Sequence, residues 1–455
     1  MKRAKKAAAL SLSIVLGCSL CACGSGIKEE NTTTAETSQE VENASSEETV
    51  KMAMPETEGE IIYVYSWDQE LGDRLQYFKE AYPEYADRVE YVNLGLGGTS
   101  SEYQTAIETL LQAGTTGTDK YPSIIATDSD LTLNYVQSDY TLPMSELGIG
   151  EEDYANMYPY TVEYAKFDGQ VKALTWQATP GCFIYRTDIA EEVLGTSDPE
   201  AVQKEVGNWN KFFNVADRMK EAGYKMLSGP DDIKYAMLDQ KKQPWVFDEI
   251  LNIDPVVTDY LEYAKKLYDG DYTNQTKLMD SNWENSFDSD VFCWFGAPWF
   301  VYWCINAEQH MGEFKICEGP SAFHWGGTYL NVAKDCPDKE LAALVVKTLC
   351  CDDTVMQKIT EDTKDFVNNK TIMEQMSQSE AGNIEMLGGQ NPISIWMETA
   401  DKIDLSNATA YDAKFNGYLD TASEAYNADE LGSVEDAVEA IKDFVSDAYN
   451  YITVE

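Results

Sequence analysis

Apolar side chains in the first third of the chain's body follow the period of a strand and the period of a helix by turns. Residues 61–65 form a continuous apolar run, which predicts a buried strand. Between residues 71 and 82 the apolar side chains recur at helical spacing, which predicts an amphipathic helix that ends at Pro83. Residues 89–93 predict a second strand and residues 101–112 a second helix. This alternation indicates an α/β fold with a mostly parallel sheet covered by helices.

A third predicted strand, residues 123–127, ends in two carboxylates, Asp128 and Asp130. In open α/β sheets, ligands lie beyond the carboxyl ends of the strands. Trp67 and the glycine-rich loop around residue 97 follow the first two predicted strands and fall at the same edge. We therefore expect a ligand site there. The alternative is that the carboxylates only cap the next helix, because Asp is a favoured N-cap residue.

The helical period returns later in the chain. It predicts helices at residues 209–222 and 340–349, and a last long helix that begins at Ser433 with Asp436 as its capping-box partner. No internal repeat of solenoid length is visible in the sequence. The body from residue 59 to 455 is long for one core, and its length is typical of two lobes.

The N-terminus has the pattern of an export signal. Basic side chains at residues 2–6 precede an apolar stretch, residues 7–20, that is shorter than the roughly 20 residues a membrane-spanning helix needs. Residues 20–26 resemble the bacterial lipobox, in which a cysteine is lipid-modified and begins the mature chain. This resemblance implies a signal peptide over residues 1–23 and Cys23 as the lipid anchor. Cys18 is a second, weaker match, and a plain secreted protein is the alternative.

Residues 24–58 differ in composition from the body. They are rich in Thr, Ser, Asn and Glu and contain no aromatic side chain. Such a segment cannot bury enough apolar area to offset its ordering entropy, so we predict a disordered acidic tether. The expected location is the cell membrane, with the body lipid-anchored on the extracytoplasmic face.

Charge and composition narrow the classes of partner. The formal net charge is −45, which disfavours nucleic acid and anionic lipid surfaces as partners. The chain has only two histidines, which is poor material for a zinc site or a Ser-His-Asp triad. We expect no metal and no cofactor. The cysteines of the body form no CxxC pair, and most are predicted to be small buried hydrophobic residues.

Several stretches of the body together resemble a known family. They are the strand–Trp–helix–Pro opening of residues 65–84, the YAKFDG, ALTWQ and FIYRTD runs within residues 164–188, the WFGAPW run of residues 294–299, the WGGT run and following helix of residues 325–349, and the LGGQN run of residues 387–391. In this order they resemble the family 1 extracellular solute-binding proteins, relatives of maltose-binding protein that serve sugar-importing ABC transporters. Within the second stretch, Arg-Thr replaces the family's usual YNxD-like form.

The resemblance implies a two-lobed α/β fold of the periplasmic-binding-protein type, with both lobes discontinuous and joined by hinge segments. Lobe one is expected at residues 59–176 plus 327–368, and lobe two at residues 177–326 plus 369–455. The implied function is capture of a sugar or oligosaccharide in the cleft between the lobes and its delivery to the membrane subunits of an ABC transporter. The protein is expected to be a monomer and not an enzyme.

A sugar ring has an apolar C–H face that stacks on aromatic rings and a rim of hydroxyls that needs polar partners. Aromatic side chains beside polar groups at the motifs are therefore the candidates for the site. The predicted ligand residues are Trp67, Asp68, Gly98, Asp128, Asp130, Trp176, Gln177, Trp299, Trp325, Gly326 and Gln390. Four further tryptophans are interpreted as core or surface-packing residues: Trp209, Trp245, Trp283 and Trp303.

Two other functions remain open from the sequence. The same scaffold can hold a non-sugar ligand such as a peptide, a polyamine or an amino acid. A secreted glycoside hydrolase is less well supported, because it needs two carboxyl groups about 5 Å apart in a retaining enzyme and no catalytic motif is visible.

Overall fold

The computed structural model describes residues 52–455. The signal peptide, Cys23 and most of the predicted tether lie outside the described residues. Residues 52–58, which the prediction assigns to the tether, contact the body: the Tyr85 hydroxyl donates to the Pro55 carbonyl at 2.8 Å, and the Arg88 guanidinium donates to the Glu56 carbonyl. Within the described chain, no helix has the length and apolar character needed to cross a membrane.

The strands form two main sheets and two short hairpins. The first sheet has the order β2-β1-β3-β12-β6, and the second has the order β10-β7-β11. The strands are β1 (Ile62–Ser66), β2 (Val89–Asn93), β3 (Pro122–Asp128), β4 (Lys166–Phe167), β5 (Gln170–Val171), β6 (Ala173–Thr175), β7 (Cys182–Arg186), β8 (Val246–Phe247), β9 (Ile250–Leu251), β10 (Cys293–Gly296), β11 (Phe314–Cys317) and β12 (Thr328–Val332).

Helices surround both main sheets. They are α1 (Glu70–Ala81), α2 (Ser101–Ala113), α3 (Ser129–Val136), α4 (Pro159–Tyr164), α5 (Thr187–Leu194), α6 (Pro199–Val206), α7 (Trp209–Ala222), α8 (Lys234–Leu238), α9 (Pro255–Asp269), α10 (Ser281–Glu284), α11 (Phe300–Trp303), α12 (Ala307–His310), α13 (Lys339–Cys351), α14 (Asp353–Thr363), α15 (Lys370–Ser377), α16 (Ile393–Ala400), α17 (Asp412–Asn427) and α18 (Val434–Ala448). The helices predicted from the apolar period are confirmed, among them α1, α2, α7, α13 and α18.

Details at the helix ends follow the sequence signals. Gly114 follows α2 with a positive φ of 67°, a conformation that glycine adopts without steric cost. Ser433 caps α18 by accepting a hydrogen bond from the Asp436 backbone N–H at 3.2 Å. The Asp436 carboxylate accepts from the N–H of Gly432, so the reciprocal bond of the capping box is displaced by one residue.

The prediction of a mostly parallel sheet holds for the first three strands only. β1 pairs in parallel with β2 and β3, whereas β12 runs antiparallel to β3 and β6. The second sheet is antiparallel throughout. The reason is that β12 enters the first sheet from the opposite end, after the chain has passed through the second sheet.

The chain passes from the first sheet to the second after β6 and returns before β12. We call these two passages, residues 176–181 and 323–327, the crossing segments. They are hydrogen-bonded to each other: the Trp325 N–H donates to the Thr179 carbonyl at 3.1 Å, and the Thr179 hydroxyl donates to the Gly326 carbonyl at 2.8 Å. The predicted lobe boundaries near 176 and 326 fall in these segments, and the assignment of the remaining elements to lobes stays a prediction.

The cysteines of the body are all free thiols, and most are buried, as predicted. Cys182, Cys293 and Cys317 lie on the three strands of the second sheet and are at most 2 % exposed. They pack there among aromatic and aliphatic side chains.

Candidate functional site

A cavity of about 820 Å³ lies beside the crossing segments. On one side it meets the residues that follow β1, β2 and β3, at the carboxyl ends of the parallel strands. On the other side it meets α8, the chain around α10 and α11, and α17. Each of the two main sheets therefore contributes connecting segments to the same cavity.

The structure brings most of the predicted ligand residues together. Those that line the cavity are Trp67, Asp68, Asp128, Asp130, Gln177, Trp299, Trp325 and Gly326. They come from five separate parts of the sequence, and the fold brings them together around one cavity.

Three predicted residues lie behind or away from the cavity wall. Gly98 packs against Trp67, and a Cβ atom at Gly98 would lie 2.7 Å from the indole ring. Trp176 is fully buried, and its indole N–H donates to Asp365 at 3.3 Å. The Gln390 side chain accepts from the N–H of Ile316 at 2.9 Å and donates to its carbonyl at 2.8 Å. The polar side-chain groups of Trp176 and Gln390 thus bond within the fold, and neither residue lines the cavity.

An aromatic wall is centred on Trp325. Tyr235 stacks on the Trp325 ring with centroids 4.7 Å apart and planes 21° apart, and Trp299 meets it edge-on at 5.0 Å and 73°. The Trp299 indole N–H donates to the Trp325 carbonyl at 2.9 Å, which fixes the orientation of that ring. Because Tyr235 covers Trp325, the partly exposed Trp299 ring has the more accessible face in this part of the cavity.

A second aromatic surface faces the cavity from the loop after β1. Trp67 is half-buried and packs edge-on against Tyr103, with centroids 5.7 Å apart. The backbone of Gly98 supports the other part of the ring. The Asp68 carboxylate, next in sequence, accepts from the Glu70 N–H at 2.9 Å and lines the cavity with its neighbour.

The carboxylates Asp128 and Asp130 combine a capping role with a place in the cavity. Asp128 caps α3 by accepting from the Asp130 N–H at 3.0 Å and also lines the cavity, so it has the capping role without being limited to it. Burial raises the pKa of Asp128 to about 7, and the Asp130 carboxylate adds to the rise. Burial also raises the pKa of Asp130, whose side chain accepts from the Tyr235 hydroxyl at 3.2 Å. A carboxyl group that is protonated part of the time both donates and accepts, which matches a hydroxyl ligand.

Glu70 is a further titratable group of the cavity. Burial raises its pKa to about 8, and the Asp365 carboxylate adds to the rise while Arg74 opposes it. Its carboxylate accepts from the Gln177 side-chain amide at 3.2 Å and lies 3.4 Å from the Arg74 guanidinium. This network connects α1 to the first crossing segment at the edge of the cavity.

Several lining residues were not predicted from the sequence. They include Glu70, Thr99, Asp231, Lys234, Tyr235, Lys277, Met279, Trp283, Trp303 and Asp420. Lys234 and Lys277 each pair with an acidic side chain, at 3.1 Å to Asp420 and at 2.5 Å to Glu424.

One of these residues, Trp303, corrects the interpretation of the tryptophans, whereas Trp283 is buried as interpreted. Trp303 is 62 % exposed and lines the cavity, although the sequence led to its interpretation as a core or surface-packing residue. The helix α11 is a single turn, so it has no second turn against which to bury Trp303. Trp283 is buried and donates to Asp232 at 2.7 Å, yet its edge lines the cavity.

Within residues 52–455, no group of three or more His, Cys, Asp or Glu side chains has an arrangement suited to a metal ion. The cavity instead offers indole faces, carboxyl groups and amide groups. These groups bind small organic molecules through stacking and hydrogen bonds.

Two sheets joined by crossing segments, with an aromatic and acidic cavity beside the crossing, define a two-lobed ligand-binding protein. The chain belongs to the bacterial extracellular solute-binding protein family, whose sequence model matches residues 78–386. Among proteins with curated descriptions, none matches this sequence significantly.

Solved structures share the fold over nearly their whole length. An extracellular solute-binding protein of family 1 is similar with a TM-score of 0.71 and 16% identity, over 87% of this chain and 100% of that one. An ABC transporter associated binding protein from B. animalis subsp. lactis Bl-04, in complex with β-1,6-galactobiose, has a TM-score of 0.68 and 17% identity, over 88% and 100%. The sugar-binding protein MalE from Xanthomonas citri has a TM-score of 0.66 and 14% identity, over 85% and 96%. These likenesses show the two-lobed α/β fold.

Proposed function

We propose that this solute-binding protein captures a sugar or oligosaccharide in the cavity beside the crossing segments and delivers it to the membrane subunits of an ABC transporter. The observation that carries the proposal is the pairing of accessible indole faces, Trp67, Trp299 and Trp303, with the carboxyl groups of Asp68 and Asp128 in one cavity.

The chemistry of the cavity supports a sugar. Indole faces stack on the apolar C–H face of a sugar ring, and charged acceptors make strong hydrogen bonds to its hydroxyls. A cavity of about 820 Å³ is within the range of small-ligand sites and has room for more than one sugar ring. The structural relatives with bound sugars, such as the galactobiose complex, agree with this ligand class.

A mechanism for delivery follows from the position of the cavity. Asp130 follows a strand of the first sheet, and Tyr235 lies on α8, between the first and second strands of the second sheet along the chain. A ligand that contacts both sides favours the conformation in which they are close, and the transporter's membrane subunits then recognise that conformation. The protein binds and releases its ligand without chemical change, so we propose no enzymatic activity.

Calorimetry on a panel of mono- and oligosaccharides tests the ligand class. We expect at least one sugar to bind, and Trp299→Ala to weaken its binding by more than tenfold because the variant removes a stacking face. Trp209→Ala is the matched control, since Trp209 packs on Phe212 away from the cavity and its loss should lower stability while leaving affinity unchanged.

The outcomes separate the alternatives. If no sugar of a broad panel binds, the sugar class is contradicted, and peptides, amino acids and amines become the candidate ligands. Hydrolysis of a glycan by the purified chain contradicts the absence of enzymatic activity and favours the glycoside hydrolase.

We also propose that a lipid on Cys23 anchors the protein on the extracytoplasmic face of the cell membrane. The support is the lipobox-like run of residues 20–26. In cells, Cys23→Ala should release the protein into the medium, whereas Cys18→Ala should leave it with the membrane. The reverse pattern would assign the anchor to Cys18.

A further inference from the structure

A second cavity of about 320 Å³ lies next to the first. The two cavities share Asp231, Lys277 and Asp420 in their walls. The helices α9 and α17 and the chain around residues 275–276 contribute most of the remaining wall of the second cavity. This wall includes Tyr260 and Asn427, which do not line the first cavity.

Four buried polar atoms of this wall have no hydrogen-bond partner among the described residues. They are Asp231 Oδ1, Tyr260 Oη, Asp420 Oδ1 and Asn427 Oδ1. Tyr260 is 0 % exposed and Asn427 is 6 % exposed. A buried polar atom without a partner destabilises the fold, so four of them around one cavity indicate a site built for a polar occupant.

The unpartnered atoms show what kind of occupant fits. Three of them, on Asp231, Asp420 and Asn427, are oxygens that accept hydrogen bonds, and the fourth is a hydroxyl. Among the unpartnered atoms, acceptors therefore outnumber the single hydroxyl donor. A primary ammonium group has three donors and no acceptor, which matches three unpartnered acceptor oxygens.

The charged side chains of this wall favour a cationic occupant. Asp420 pairs through its other oxygen with Lys234 at 3.1 Å, and Glu424 pairs with Lys277 at 2.5 Å. The second oxygen of Asp231 accepts from the backbone N–H of Leu278 at 3.0 Å, which brings no full charge. Asp231 is thus the carboxylate of this wall whose charge a bound cation would balance.

We propose that the second cavity binds a protonated primary amine. Two sources supply this group: an amino sugar whose ring lies in the first cavity, or a free alkyl amine. The amino-sugar form rests on the proposed function, because it places the ring of the ligand against the indole faces and its ammonium group beside Asp231.

Calorimetry on the full chain with matched amine and hydroxyl compounds tests the proposal. The probes are glucosamine against glucose and putrescine against 1,4-butanediol, at equal ionic strength. We expect at least one amine to bind tenfold or more tightly than its hydroxyl counterpart. Asp231→Asn should remove that preference, and Asp259→Asn, at an exposed position on α9 next to Tyr260, should keep it.

A second variant controls for misfolding and for an amine that binds in the first cavity alone. Asn427→Leu removes an acceptor from the second cavity only and should also reduce the preference for the amine, with circular dichroism and the unliganded Tm used to confirm that both variants fold. The proposal is overturned if neither amine exceeds its hydroxyl counterpart, which means that the cavity holds solvent, or if folded Asp231→Asn and Asn427→Leu keep the preference.

The same data separate this proposal from the proposed function. Tighter binding of glucosamine alone identifies an amino sugar, and tighter binding of putrescine alone identifies a free amine. If sugars bind without a preference for the amine, the second-cavity proposal fails and the sugar-binding function stands. If amines bind and no sugar does, the sugar-binding function fails and the second-cavity proposal stands.

Discussion

Replacing Asp128 with Asn tests the electrostatics of the main cavity without the need for a ligand. Asn is as good an N-cap as Asp, so its side-chain oxygen retains the bond from the Asp130 N–H to the helix α3. The substitution therefore removes the ionisable group and little else. Because the pKa of Asp128 is raised from its ordinary value of 3.8 to about 7 in the folded protein, the two proteins should differ in how their stability depends on pH.

The sign and size of this stability difference follow from the linkage between proton binding and folding. Between about pH 4 and pH 7, the folded chain keeps the Asp128 proton and the unfolded chain releases it, so wild type loses stability relative to Asn as the pH rises. The full rise of the Asp128 pKa from 3.8 to about 7 corresponds to a change of about 4 kcal/mol in the free energy of unfolding. The half-buried Asp128 side chain keeps some contact with solvent, which reduces this effect. We therefore expect the stability advantage of Asp128→Asn over wild type to grow by about 2 kcal/mol as the pH rises.

Urea unfolding at pH 5 and pH 8, followed by tryptophan fluorescence, measures this difference. Asp198→Asn is the matched control, since Asp198 caps α6 at the surface by accepting from the Ala201 N–H at 3.0 Å. The control should show no comparable growth between the two pH values. An advantage of Asp128→Asn that stays constant or shrinks from pH 5 to pH 8 would refute the reasoning.

Two further predictions concern the cavity walls, and a third concerns closure on the ligand. Gly98→Ala should weaken sugar binding by about tenfold, which corresponds to about 1.4 kcal/mol, because its Cβ atom would lie 2.7 Å from the Trp67 ring. Gly97→Ala is the control: its Cβ atom meets only Ser100, at 3.5 Å, so this variant should bind sugar normally in the same calorimetry. Trp303→Ala should change stability by less than about 0.5 kcal/mol, because the side chain is 62 % exposed, and yet weaken binding of an oligosaccharide several-fold; unchanged affinity would remove Trp303 from the site. Small-angle scattering with and without a binding sugar should show a smaller radius of gyration in the complex, and identical profiles would contradict ligand-driven closure.

Much of the site was predictable because it lies at strand ends that the apolar pattern locates. The position of Asp128 after a buried strand and of Trp67 after another is enough to bring them to one edge. Side-chain direction was harder to predict. Trp176 and Gln177 follow β6 as neighbours, and successive side chains of an extended chain point to opposite sides, so only Gln177 reaches the cavity.

Other parts of the site had no local signal in the sequence. Tyr235 lies on α8, a helix of five residues, which is too short to show a period. Its stacking on Trp325 joins residues 90 positions apart in sequence (325 − 235), a contact that depends on how the second sheet's connections pack. The antiparallel entry of β12 is likewise a property of the chain's path and not of any one segment.

The paired crossing segments have a consequence for engineering this protein. Trp325 belongs to a segment whose backbone is bonded to its partner at Thr179, so a substitution at Trp325 perturbs the connection between the sheets together with the wall of the cavity. Trp67 is held by backbone outside those segments, whereas Trp299 bonds through its indole N–H to the Trp325 carbonyl. Ligand preference is therefore best redesigned at Trp67, where the side chain can change while the coupling between the sheets is preserved.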